Sequence, residues 1–545
     1  MGTIAELVRQ LEGVDRPGLL FEESRWTHAE VVDAAARRAA WLLERRDPAR
    51  PFHVGVLLDN VPEFPMWLMA AAVSGAVIVG VNPTRRGAEL ERDIRHTDCQ
   101  FLVTESGTTG LVAGLDLGIA PEHVVVTDEV TDTFPDAALP EVDVDPSDLY
   151  LLLFTSGTTG APKAVRCSQG RLAFISDRVK GMFELGPEDV CYLAMPMFHS
   201  NALMAGWGPS LAAGATGALR RRFSASGFLP DVRKFGATFF NYVGKPLTYV
   251  LATAERPDDA DNPLRRVFGN EGDERDVARF GERFGCAVFD SYGSTEGGAA
   301  VSRVPGTPDG AMGPATHGIC ILDADTGEEC AIAVFDARGR LLNAEEAIGE
   351  IVNKTGTAGF EGYWKNDEAD RARVRNGYYW TGDLGYRDSD GFIYFAGRDH
   401  DWLRVDGENF AAAPVERILG RHPDVVLAAV YAVPDPDVGD RVMAALQLRG
   451  GATFDPRAFS AFLAAQADLG TKWAPRFVRL TAELPVTQTS KVLKRQLRRE
   501  RWECHEPVWW QRSKDGPYEP MTAADVASLT AEFESRGRAN VLAVG

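Results

Sequence analysis

The stretch that most limits what this chain can fold into runs from Leu149 to Lys163, LYLLLFTSGTTGAPK. Its first six residues, Leu149 to Phe154, are apolar and predict a buried β-strand. Small hydroxyl and glycine residues follow the strand at once. Because glycine lets a backbone turn sharply and approach a ligand closely, the N–H groups of such a loop bind anions. We therefore predict a buried strand that ends in a phosphate-binding loop.

The hydroxyl, glycine and lysine residues of this loop are the expected phosphate donors. They are Thr155, Ser156, Gly157, Thr158, Thr159, Gly160 and Lys163. The loop is not of the Walker class, because no Gly-Lys-Ser/Thr follows the first glycine at the required spacing. A flexible linker would not directly follow a buried hydrophobic strand.

The order of the apolar segments predicts the fold class. At 545 residues the chain is too long for a single hydrophobic core, so two or more domains are expected. Thr27 and Glu30 form a capping-box pattern that opens a helix to about Arg45. Segments typical of strands and helices then alternate: strand Val54–Leu58, helix Pro62–Ser74, and strands Phe101–Val103 and Val124–Val126. This alternation predicts an α/β fold, with a parallel sheet covered by helices on both faces.

The charge balance limits the choice of partners. Asp plus Glu number 78 against 58 Lys plus Arg, a net charge of -20. An acidic chain without a basic run argues against nucleic acid as a partner and against electrostatic docking on anionic lipid. The seven cysteines are scattered without a CxxC pair, which is typical of free thiols in a reducing cytoplasm.

The apolar segments predict no membrane span. The start of the chain lacks the pattern of a signal peptide. The most apolar segment, Met66 to Val81, is too short to cross a bilayer and predicts a core helix that runs into a strand. We therefore expect a cytoplasmic protein without a transmembrane segment. Peripheral contact with a membrane stays open, and the sequence does not define an oligomeric state.

Five further motifs follow the phosphate loop. They are Ser291–Gly297 (SYGSTEG), Tyr379–Leu384 (YWTGDL), Gly397-Arg398, Gly407–Asn409 (GEN) and Pro485–Lys491 (PVTQTSK). In order and spacing, from about residue 25 to 500, they resemble the adenylate-forming acyl-CoA synthetases. The segments Asn241–Gly244, Asp261–Arg266 and Gly269–Gly272 are similar to one branch, the fatty-acid transport proteins or very-long-chain acyl-CoA synthetases. The resemblance implies a bacterial long-chain fatty-acid–CoA ligase.

The resemblance implies a domain order. Residues 1–397 are expected to form a large N-terminal adenylation domain for ATP and the acyl substrate, built of doubly wound α/β subdomains plus a β-rich subdomain. A small mobile α+β domain, residues 398–503, follows a hinge that contains His400, and a histidine there suggests a pH-sensitive rotation. Residues 504–545 are expected to be a C-terminal extension that packs on the small domain.

The resemblance also assigns site residues. The expected catalytic residues are Thr155, His199, Glu296 and Lys491. Tyr292 is expected to lie against adenine, and Glu296 to hold Mg²⁺ through a carboxylate oxygen. Asp383 is expected to bind the ribose hydroxyls, and Arg398 is the expected second contact, with ribose or phosphate. The other residues expected to bind ATP or CoA are Gly269, Asn270, Ser291, Gly293, Ser294, Thr295, Arg404, Gly407, Glu408 and Asn409.

A pocket for the acid is expected beside the segment Cys191–Asn201, where the resemblance puts His199 near the substrate carboxylate. Its walls are expected to include Met204, Gly206, Trp207 and Tyr242, although apolar residues at such positions more often belong to the core. In the small domain we expect Lys491 to carry the functional charge. Lys494 is expected to be a solvated neighbour.

The implied reaction uses ATP, Mg²⁺ and CoA: a fatty carboxylate forms acyl-AMP and pyrophosphate, and the CoA thiol then displaces AMP. Four alternatives stay open. One keeps the chemistry on a steroid side-chain acid or a carnitine-like acid, and another loads the acyl group onto a carrier protein. The others are a non-catalytic fatty-acid uptake or binding protein and an oxidative light-emitting relative. Intact Lys491, Glu296 and phosphate loop argue against the non-catalytic alternative.

Overall fold

The computed structural model describes most of the chain. The described residues are 2–129, 134–155, 163–316, 318–337, 341–357, 359–398, 402–405, 408–436, 440–466, 468–470, 472–486, 492–513 and 516–543. The chain divides into two compact units, Met1–Ala300 with Thr357–Val374, and Val301–Gly356 with Arg375–Gly545. The predicted hinge boundary between residues 397 and 398 falls within the second unit and stays a prediction.

Helices and strands alternate along the chain. The strands are β1 (Pro17–Phe21), β2 (Ser24–Thr27), β3 (His53–Leu57), β4 (Val77–Gly80), β5 (Phe101–Thr104), β6 (Val124–Val126), β7 (Leu149–Thr155), β8 (Lys163–Ser168), β9 (Val190–Leu193), β10 (Thr216–Leu219), β11 (Phe239–Val243), β12 (Arg266–Asn270), β13 (Ala287–Gly293), β14 (Ala300–Ser302), β15 (Ala311–Pro314), β16 (Ile319–Leu322), β17 (Gly349–Asn353), β18 (Val374–Arg375), β19 (Tyr378–Arg387), β20 (Phe392–Arg398), β21 (Trp402–Val405), β22 (Glu408–Ala411), β23 (Val425–Pro434), β24 (Asp440–Leu448), β25 (Phe477–Thr481), β26 (Val508–Gln511) and β27 (Tyr518–Pro520). The helices are α1 (Ile4–Arg9), α2 (His28–Arg45), α3 (Glu63–Ser74), α4 (Gly87–His96), α5 (Ser106–Thr109), α6 (Gln169–Met182), α7 (Gly208–Ala213), α8 (Phe228–Phe235), α9 (Pro246–Leu251), α10 (Glu274–Phe284), α11 (Ala344–Ala347), α12 (Asp367–Arg373), α13 (Ala412–Gly420), α14 (Pro456–Ala465), α15 (Lys494–Glu500), α16 (Ala523–Ser535) and α17 (Ala539–Ala543). A 3₁₀ turn, Pro121–His123, precedes β6, and a π-helical turn, Ala202–Trp207, precedes α7.

One sheet of the first unit carries the predicted phosphate loop. Its strands lie in the order β6-β5-β3-β4-β7-β8, and every pair is parallel except β7 with β8. Trp41 of α2 and Trp67 of α3 pack edge-on against each other, and Trp41 also contacts Phe101 of β5. The predicted strand Leu149–Phe154 is confirmed as β7.

The sequence patterns predicted the elements around this sheet closely. The capping box of Thr27 and Glu30 opens α2, which ends at the expected Arg45. Strands β3, β5 and β6 and helix α3 each lie within one residue of their predicted bounds. The apolar segment Met66 to Val81 supplies the last nine residues of the buried helix α3, which ends at Ser74, and then strand β4. This is the core helix running into a strand that the sequence predicted.

A second sheet of this unit carries the Ser291–Gly297 motif. Its strands lie in the order β13-β12-β11-β9-β10-β1-β2, parallel except for β1 with β2. Phe183, directly after α6, packs on Phe239 of β11, whereas Phe228 of α8 packs on Phe240. Because successive strand residues point to opposite faces, helices cover both faces of the sheet. The predicted doubly wound α/β architecture is confirmed.

The second unit is richer in antiparallel strands. One of its sheets has the order β15-β20-β19-β17-β16, with antiparallel pairs throughout. Strands β19 and β20 form the hairpin predicted around Asp390-Gly391, with Tyr386 opposite Tyr394. The other sheet has the order β23-β24-β25-β26-β27, in which β24 and β25 are parallel. Strands β21 and β22 form a separate hairpin.

The C-terminal extension packs on the second of these sheets, as expected. Strands β26 and β27 continue the sheet beyond β25. Tyr518 is buried beside Phe454 and Phe459, and its hydroxyl donates to the carbonyl of Pro475. The extension therefore completes the core of this sheet.

The cysteines are free thiols, as predicted. Cys99, Cys167, Cys191 and Cys320 are buried. Burial raises the pKa of the Cys191 thiol to about 12. Since the thiolate is the reactive form, this cysteine is not a nucleophile at neutral pH. Among the described residues, no helix has both the length and the apolarity to cross a membrane.

Candidate active site

The predicted phosphate loop joins two paired strands. Thr155, the last residue of β7, lies opposite Lys163, the first residue of β8. The loop therefore starts at the carboxyl end of β7, where open α/β sheets bind ligands. The other loop donors lie outside the described residues: Ser156, Gly157, Thr158, Thr159 and Gly160. Their phosphate contacts stay predictions.

Lys163 lies among groups that hold its charge in place. Its Nζ is 5.4 Å from the ring centre of Tyr363, which is a cation–π geometry. Partial burial and then the charge of Arg373 lower the pKa of Lys163, while Glu296 and Glu368 oppose that shift. The ammonium group is therefore held close to the carboxylate that is predicted to bind Mg²⁺.

Glu296 is buried, and a tyrosine fixes its carboxylate. Only 7% of Glu296 is exposed, and the hydroxyl of Tyr363 donates to its Oε1 at 2.8 Å. Nε of Arg373 donates to the same hydroxyl oxygen at 3.2 Å. Burial, followed by the charge of Glu296, raises the pKa of Tyr363, so the hydroxyl keeps its proton and remains a donor.

Arg171 of α6 hydrogen-bonds to the turn that carries Glu296. Its Nη2 donates to the carbonyl of Thr295 at 2.6 Å, and its Nη1 donates to the carbonyl of Arg166 at 2.9 Å. Gly297 has a φ of +72°, and a Cβ there would approach Nη2 to 2.5 Å. Both the backbone conformation and the arginine therefore require glycine at the end of the SYGSTEG motif.

The rest of that motif closes the carboxyl end of β13. Tyr292 and Gly293 are the last residues of the strand, and the carbonyl of Ser294 accepts the N–H of Gly297 at 3.0 Å. Because strand residues alternate, Tyr292 points to the face opposite Ser291. The predicted place of the motif at the end of a strand is confirmed, and the contact of Tyr292 with adenine stays a prediction.

The loop after β9 is fixed by a buried asparagine. The side chain of Asn60 accepts the N–H of Met197 at 2.9 Å and donates to the carbonyl of Met195 at 2.8 Å. Gly80 allows the loop to approach, because a Cβ there would lie 2.6 Å from the carbonyl oxygen of Phe198. The loop that leads to the predicted acid-binding histidine therefore packs closely against β4.

His199 follows in this loop. Its Nδ1 accepts the backbone N–H of Asn201 at 3.4 Å, which leaves Nε2 as the ring nitrogen that donates. The hydroxyls of Ser200 and Thr295 share a hydrogen bond of 2.7 Å. This bond joins the His199 loop to the turn that carries Glu296.

Asparagine side chains connect the same loop to the sheet. Asn201 donates to Oδ1 of Asn270 at 3.2 Å and accepts from Asn241 at 2.9 Å. Asn270 in turn donates to the carbonyl and the hydroxyl of Ser291, at 2.7 and 2.9 Å. The predicted residues Asn270 and Ser291 therefore belong to one partly buried polar network at the carboxyl ends of β12 and β13.

Tyr242 does not line the predicted acid pocket. Its ring is buried on the face covered by α8 and α10, and its hydroxyl donates to Asp290. Gly206 packs on the other face, against the side chain of Asn241. Because successive strand residues point to opposite faces, Tyr242 and Gly206 do not share a pocket, and that prediction is wrong. Tyr242 instead closes over Gly269, where a Cβ would overlap its ring.

In the second unit, Asp383 is buried in a turn-like part of β19. Its N–H donates to the hydroxyl of Thr381 at 3.1 Å. Gly382, with a φ of +71°, donates its N–H to Oε1 of Glu350 at 2.6 Å. Arg398 lies opposite Asp383 in the register of β19 and β20. The two residues predicted to bind ribose are therefore neighbours across this hairpin.

Two residues of the Gly407–Asn409 motif, Glu408 and Asn409, lie in β22, which pairs with β21. Arg404 is opposite Asn409, and Val405 is opposite Glu408. Gly407 and the side chains of Arg404, Glu408 and Asn409 lie outside the described part of the chain. Their contacts with CoA stay predictions.

Lys491 also lies outside the described residues. The chain on either side of its segment is joined by backbone contacts. Val486 forms an antiparallel bridge with Val492, and the N–H of Leu493 donates to the carbonyl of Pro485 at 2.7 Å. The described residues before and after Lys491, Pro485-Val486 and Val492-Leu493, therefore lie beside each other.

Lys494 is not the solvated neighbour of Lys491 that the sequence predicted. Its Nζ pairs with Glu416 at 2.9 Å, and only 17% of its side chain is exposed. The ion pair joins α15 to α13, so Lys494 has a structural partner. The predicted hinge residue His400 lies outside the described residues.

The donor set around Glu296 fits a magnesium ion that arrives with a nucleotide. Mg²⁺ in nucleotide sites is held by one or two carboxylates, by water and by phosphate oxygens. Within the described residues, no cluster of three His, Cys, Asp or Glu side chains is arranged to hold a metal ion by itself. Glu296 supplies one fixed carboxylate near Lys163, which is what a nucleotide-bound Mg²⁺ requires.

Four residues of this arrangement were not predicted. They are Arg171, Asn201, Asn241 and Tyr363. Asn241 could have been singled out from the sequence, because a polar residue inside the apolar strand Phe239–Val243 must find buried partners. Tyr363 could also have been singled out, since this residue belongs to an aromatic stretch, Phe360–Trp364, just before a helix.

Two family models match the chain. The AMP-binding enzyme model matches residues 9–364, and the AMP-binding enzyme C-terminal domain model matches residues 414–491. The chain belongs to the AMP-binding enzyme family. The first match includes the phosphate loop and Glu296, and the second ends at Lys491.

Curated members of this family are similar over nearly the whole chain. The steroid-22-oyl-CoA synthetase of Rhodococcus jostii is 54% identical over 551 residues, which cover 99% of this chain and 99% of that relative. The medium/long-chain-fatty-acid–CoA ligase FadD17 of Mycobacterium tuberculosis is 51% identical over 512 residues, 93% of this chain and 98% of that relative. The sulfoacetate–CoA ligase of Cupriavidus necator is 30% identical over 508 residues, 90% of this chain and 96% of that relative.

Solved structures share the fold. MatB from Rhodopseudomonas palustris, bound to ATP, has a TM-score of 0.76 at 24% identity, covering 91% of this chain and 97% of that one. A benzoate CoA ligase from Burkholderia xenovorans has a TM-score of 0.78 at 21% identity, covering 91% of this chain and 100% of that one. This likeness supports the α/β architecture of the AMP-binding enzyme family.

Proposed function

We propose that this AMP-binding enzyme is an ATP-dependent ligase that joins a lipophilic carboxylic acid, in the first place a medium- or long-chain fatty acid, to CoA. The observation that carries the proposal is the 51% identity to FadD17 over 98% of that relative. ATP and CoA are the co-substrates, and Mg²⁺ is the expected cofactor. Because these co-substrates belong to the cytoplasm, we expect the reaction to take place there.

The proposed first step activates the carboxylate. A carboxylate oxygen attacks the α-phosphorus of ATP, the bond to the bridging oxygen breaks, and acyl-AMP and pyrophosphate result. Charge develops on the α-phosphate oxygens, where Lys491 and the donors of Thr155 to Gly160 stabilise it. His199 orients the acid through Nε2–H. Glu296 would hold Mg²⁺, which would supply further charge stabilisation to the phosphates.

The proposed second step transfers the acyl group. The CoA thiol loses its proton, its sulfur attacks the carbonyl carbon of acyl-AMP, and AMP leaves. The family resemblance implies that the small domain rotates between the steps, withdraws Lys491 and presents Gly407–Asn409. Asp383 holds the ribose hydroxyls, and Arg398 is the second contact, with ribose or phosphate.

An apolar surface around Phe289 supports a lipophilic acid as the substrate. In the described part of the first unit, the large apolar side chains with high exposure are Phe174 and Met182 of α6 and Phe289 of β13. Phe183, directly after α6, lies 5.1 Å from the ring of Phe289 and 5.0 Å from that of Phe268. Exposed aromatic surface is costly in water, so the surface around Phe289 favours a hydrocarbon ligand.

The apolar surface around Phe289 lies close to the polar network. Arg171, near the start of α6, contacts the carbonyl of Thr295 just after β13, so α6 and β13 run in opposite directions. Ser291 follows Phe289 by two residues on the same face of β13, about 7 Å along the strand. An acid whose carboxylate lies at His199 therefore has its hydrocarbon part over Phe289. A small polar acid such as sulfoacetate has no apolar part to fill this surface.

Phe289→Ser is expected to raise KM for a long-chain acid about fivefold, because roughly 1 kcal/mol of apolar contact is lost. KM for the shortest acid that the wild type uses is expected to stay unchanged. Steady-state kinetics with both acids measures this difference. Val334→Ser is the matched control, because Val334 is an equally exposed apolar residue, 51% exposed, in the second unit. Equal KM changes for short and long acids in Phe289→Ser would contradict the surface around Phe289 as the acyl site.

A steroid side-chain acid is the second candidate substrate. The 54% identity to steroid-22-oyl-CoA synthetase, over 99% of both chains, favours it specifically. A rigid ring system and a flexible chain can both contact the apolar surface around Phe289, so this surface does not distinguish the two acids. Their relative turnover distinguishes them.

The test is AMP and CoA-thioester formation with ATP and Mg²⁺, across short, medium and long fatty acids and a steroid side-chain acid. Turnover that depends on CoA and favours medium or long fatty acids supports the first candidate, and a preference for the steroid acid supports the second. AMP that stays enzyme-bound until a carrier protein is added would mean acyl transfer to that protein. Absence of acid-dependent AMP with every acid would contradict the ligase function.

A further inference from the structure

We propose that Tyr363 is a positioning residue that sets both the Glu296 carboxylate and the Lys163 ammonium for nucleotide binding. The inference rests on the proposed function, because it takes Glu296 as the carboxylate that meets the Mg²⁺ of MgATP. Tyr363 lies between these two groups of opposite charge, on a segment that precedes α12. No motif assigns it a role.

Tyr363 is itself held rigidly. Only 3% of the residue is exposed. Its backbone forms an antiparallel bridge with Val165 of β8, and its N–H donates to Oδ1 of Asp370 at 2.8 Å. Its ring packs edge-on against Phe360, with centres 5.2 Å apart. A tyrosine fixed in this way also fixes the positions of the side chains that it contacts.

The hydroxyl of Tyr363 has a defined direction. An ionised carboxylate only accepts hydrogen bonds and a guanidinium only donates them. The single hydroxyl proton therefore points to Oε1 of Glu296, at 2.8 Å, while its oxygen accepts Nε of Arg373, at 3.2 Å. This bond restricts rotation of the carboxylate group, which fixes the direction of its second oxygen. A metal ligand gains affinity when a neighbour holds it in this manner.

The ring of Tyr363 acts on Lys163 by a different interaction. Nζ lies 5.4 Å from the ring centre, where the negative π face attracts an ammonium group. The ring and the hydroxyl can therefore be tested separately. Phenylalanine keeps the ring and removes the hydroxyl, whereas leucine removes both.

The experiment is calorimetric titration of the full chain with ATP, with and without Mg²⁺. Tyr363→Phe is expected to weaken MgATP binding about 10- to 100-fold and to leave Mg²⁺-free ATP binding unchanged. Tyr363→Leu is expected to weaken Mg²⁺-free ATP binding as well, by about two- to fivefold. Tyr150→Phe is the matched control. Tyr150 is also buried and donates its hydroxyl to the carbonyl of Leu68 at 2.9 Å, so this variant loses a buried hydrogen bond elsewhere in the unit.

The outcomes separate positioning from simple stability. Unchanged MgATP affinity in Tyr363→Phe would overturn the inference. So would an equal loss with and without Mg²⁺, or the same Mg²⁺-specific loss in Tyr150→Phe, because a merely structural tyrosine predicts no dependence on the ion. A wild-type chain that binds no ATP would contradict the proposed function instead.

Discussion

Lys491→Ala is expected to lower the rate of acyl-AMP formation about 100- to 1000-fold, the usual effect of removing one positioned donor from a developing negative charge. Thioester formation from supplied acyl-AMP is expected to change little, because in the proposed alternation Lys491 has left the site before CoA attacks. Single-turnover measurement of the two half-reactions separates these effects.

A nearby lysine provides the control for this variant. Lys494 pairs with Glu416 at 2.9 Å, three residues further along the chain. Lys494→Ala removes the same charge and is expected to affect thermal stability more than either half-reaction. An equal loss of both half-reactions in Lys491→Ala would contradict the alternation of domains. An unchanged rate of acyl-AMP formation would show that Lys491 is not catalytic.

Glu296→Gln is expected to lower kcat/KM for MgATP about 100- to 1000-fold. The substitution keeps the shape of the side chain and an oxygen for the hydroxyl of Tyr363, which donates to Oε1 at 2.8 Å. It removes the negative charge, and Mg²⁺ relies on carboxylate oxygens and phosphate oxygens for its binding. Initial rates over a range of Mg²⁺ concentrations check this, and half-saturation is expected at a higher concentration in the variant.

Glu361→Gln is the matched control for the loss of a carboxylate charge. Glu361 accepts the N–H and the hydroxyl of Ser168, both at 2.6 Å, on the same side of the first unit. We expect the Glu361→Gln substitution to lower the melting temperature and to leave the Mg²⁺ dependence of the initial rate unchanged. An identical shift of the Mg²⁺ dependence in both variants would mean that Glu296 acts through general electrostatics and not as a ligand.

The parts of the fold that depend on short-range pattern were predictable from the sequence. Strand β7 is a continuous apolar run, and the capping box of Thr27 and Glu30 defines the start of α2. The hairpin around Asp390-Gly391 follows from a turn between two apolar segments. In each case the residues that determine the element are adjacent along the chain, so local physical chemistry decides the outcome.

The parts of the site that depend on packing were not predictable. Arg171 reaches Thr295, which is distant in sequence, and Tyr363 reaches Glu296. No local pattern joins such residues. The direction of the Tyr242 side chain was predicted wrongly because the alternation of side chains along the strand was not considered. Its neighbour Asn241 faces the His199 loop, so the tyrosine side chain points to the opposite face of the sheet. Sequence motifs predicted the reacting groups, whereas the side chains that contact these residues became visible only in the folded chain.

Acid-dependent exchange of labelled pyrophosphate into ATP, measured without CoA, tests the central claim most directly. If the enzyme forms acyl-AMP, label is expected to enter ATP only in the presence of ATP, Mg²⁺ and an accepted acid. Addition of CoA is then expected to convert the acid to its thioester with release of AMP. Thioester formation with ADP and phosphate as products, and no exchange of pyrophosphate, would contradict the adenylate mechanism.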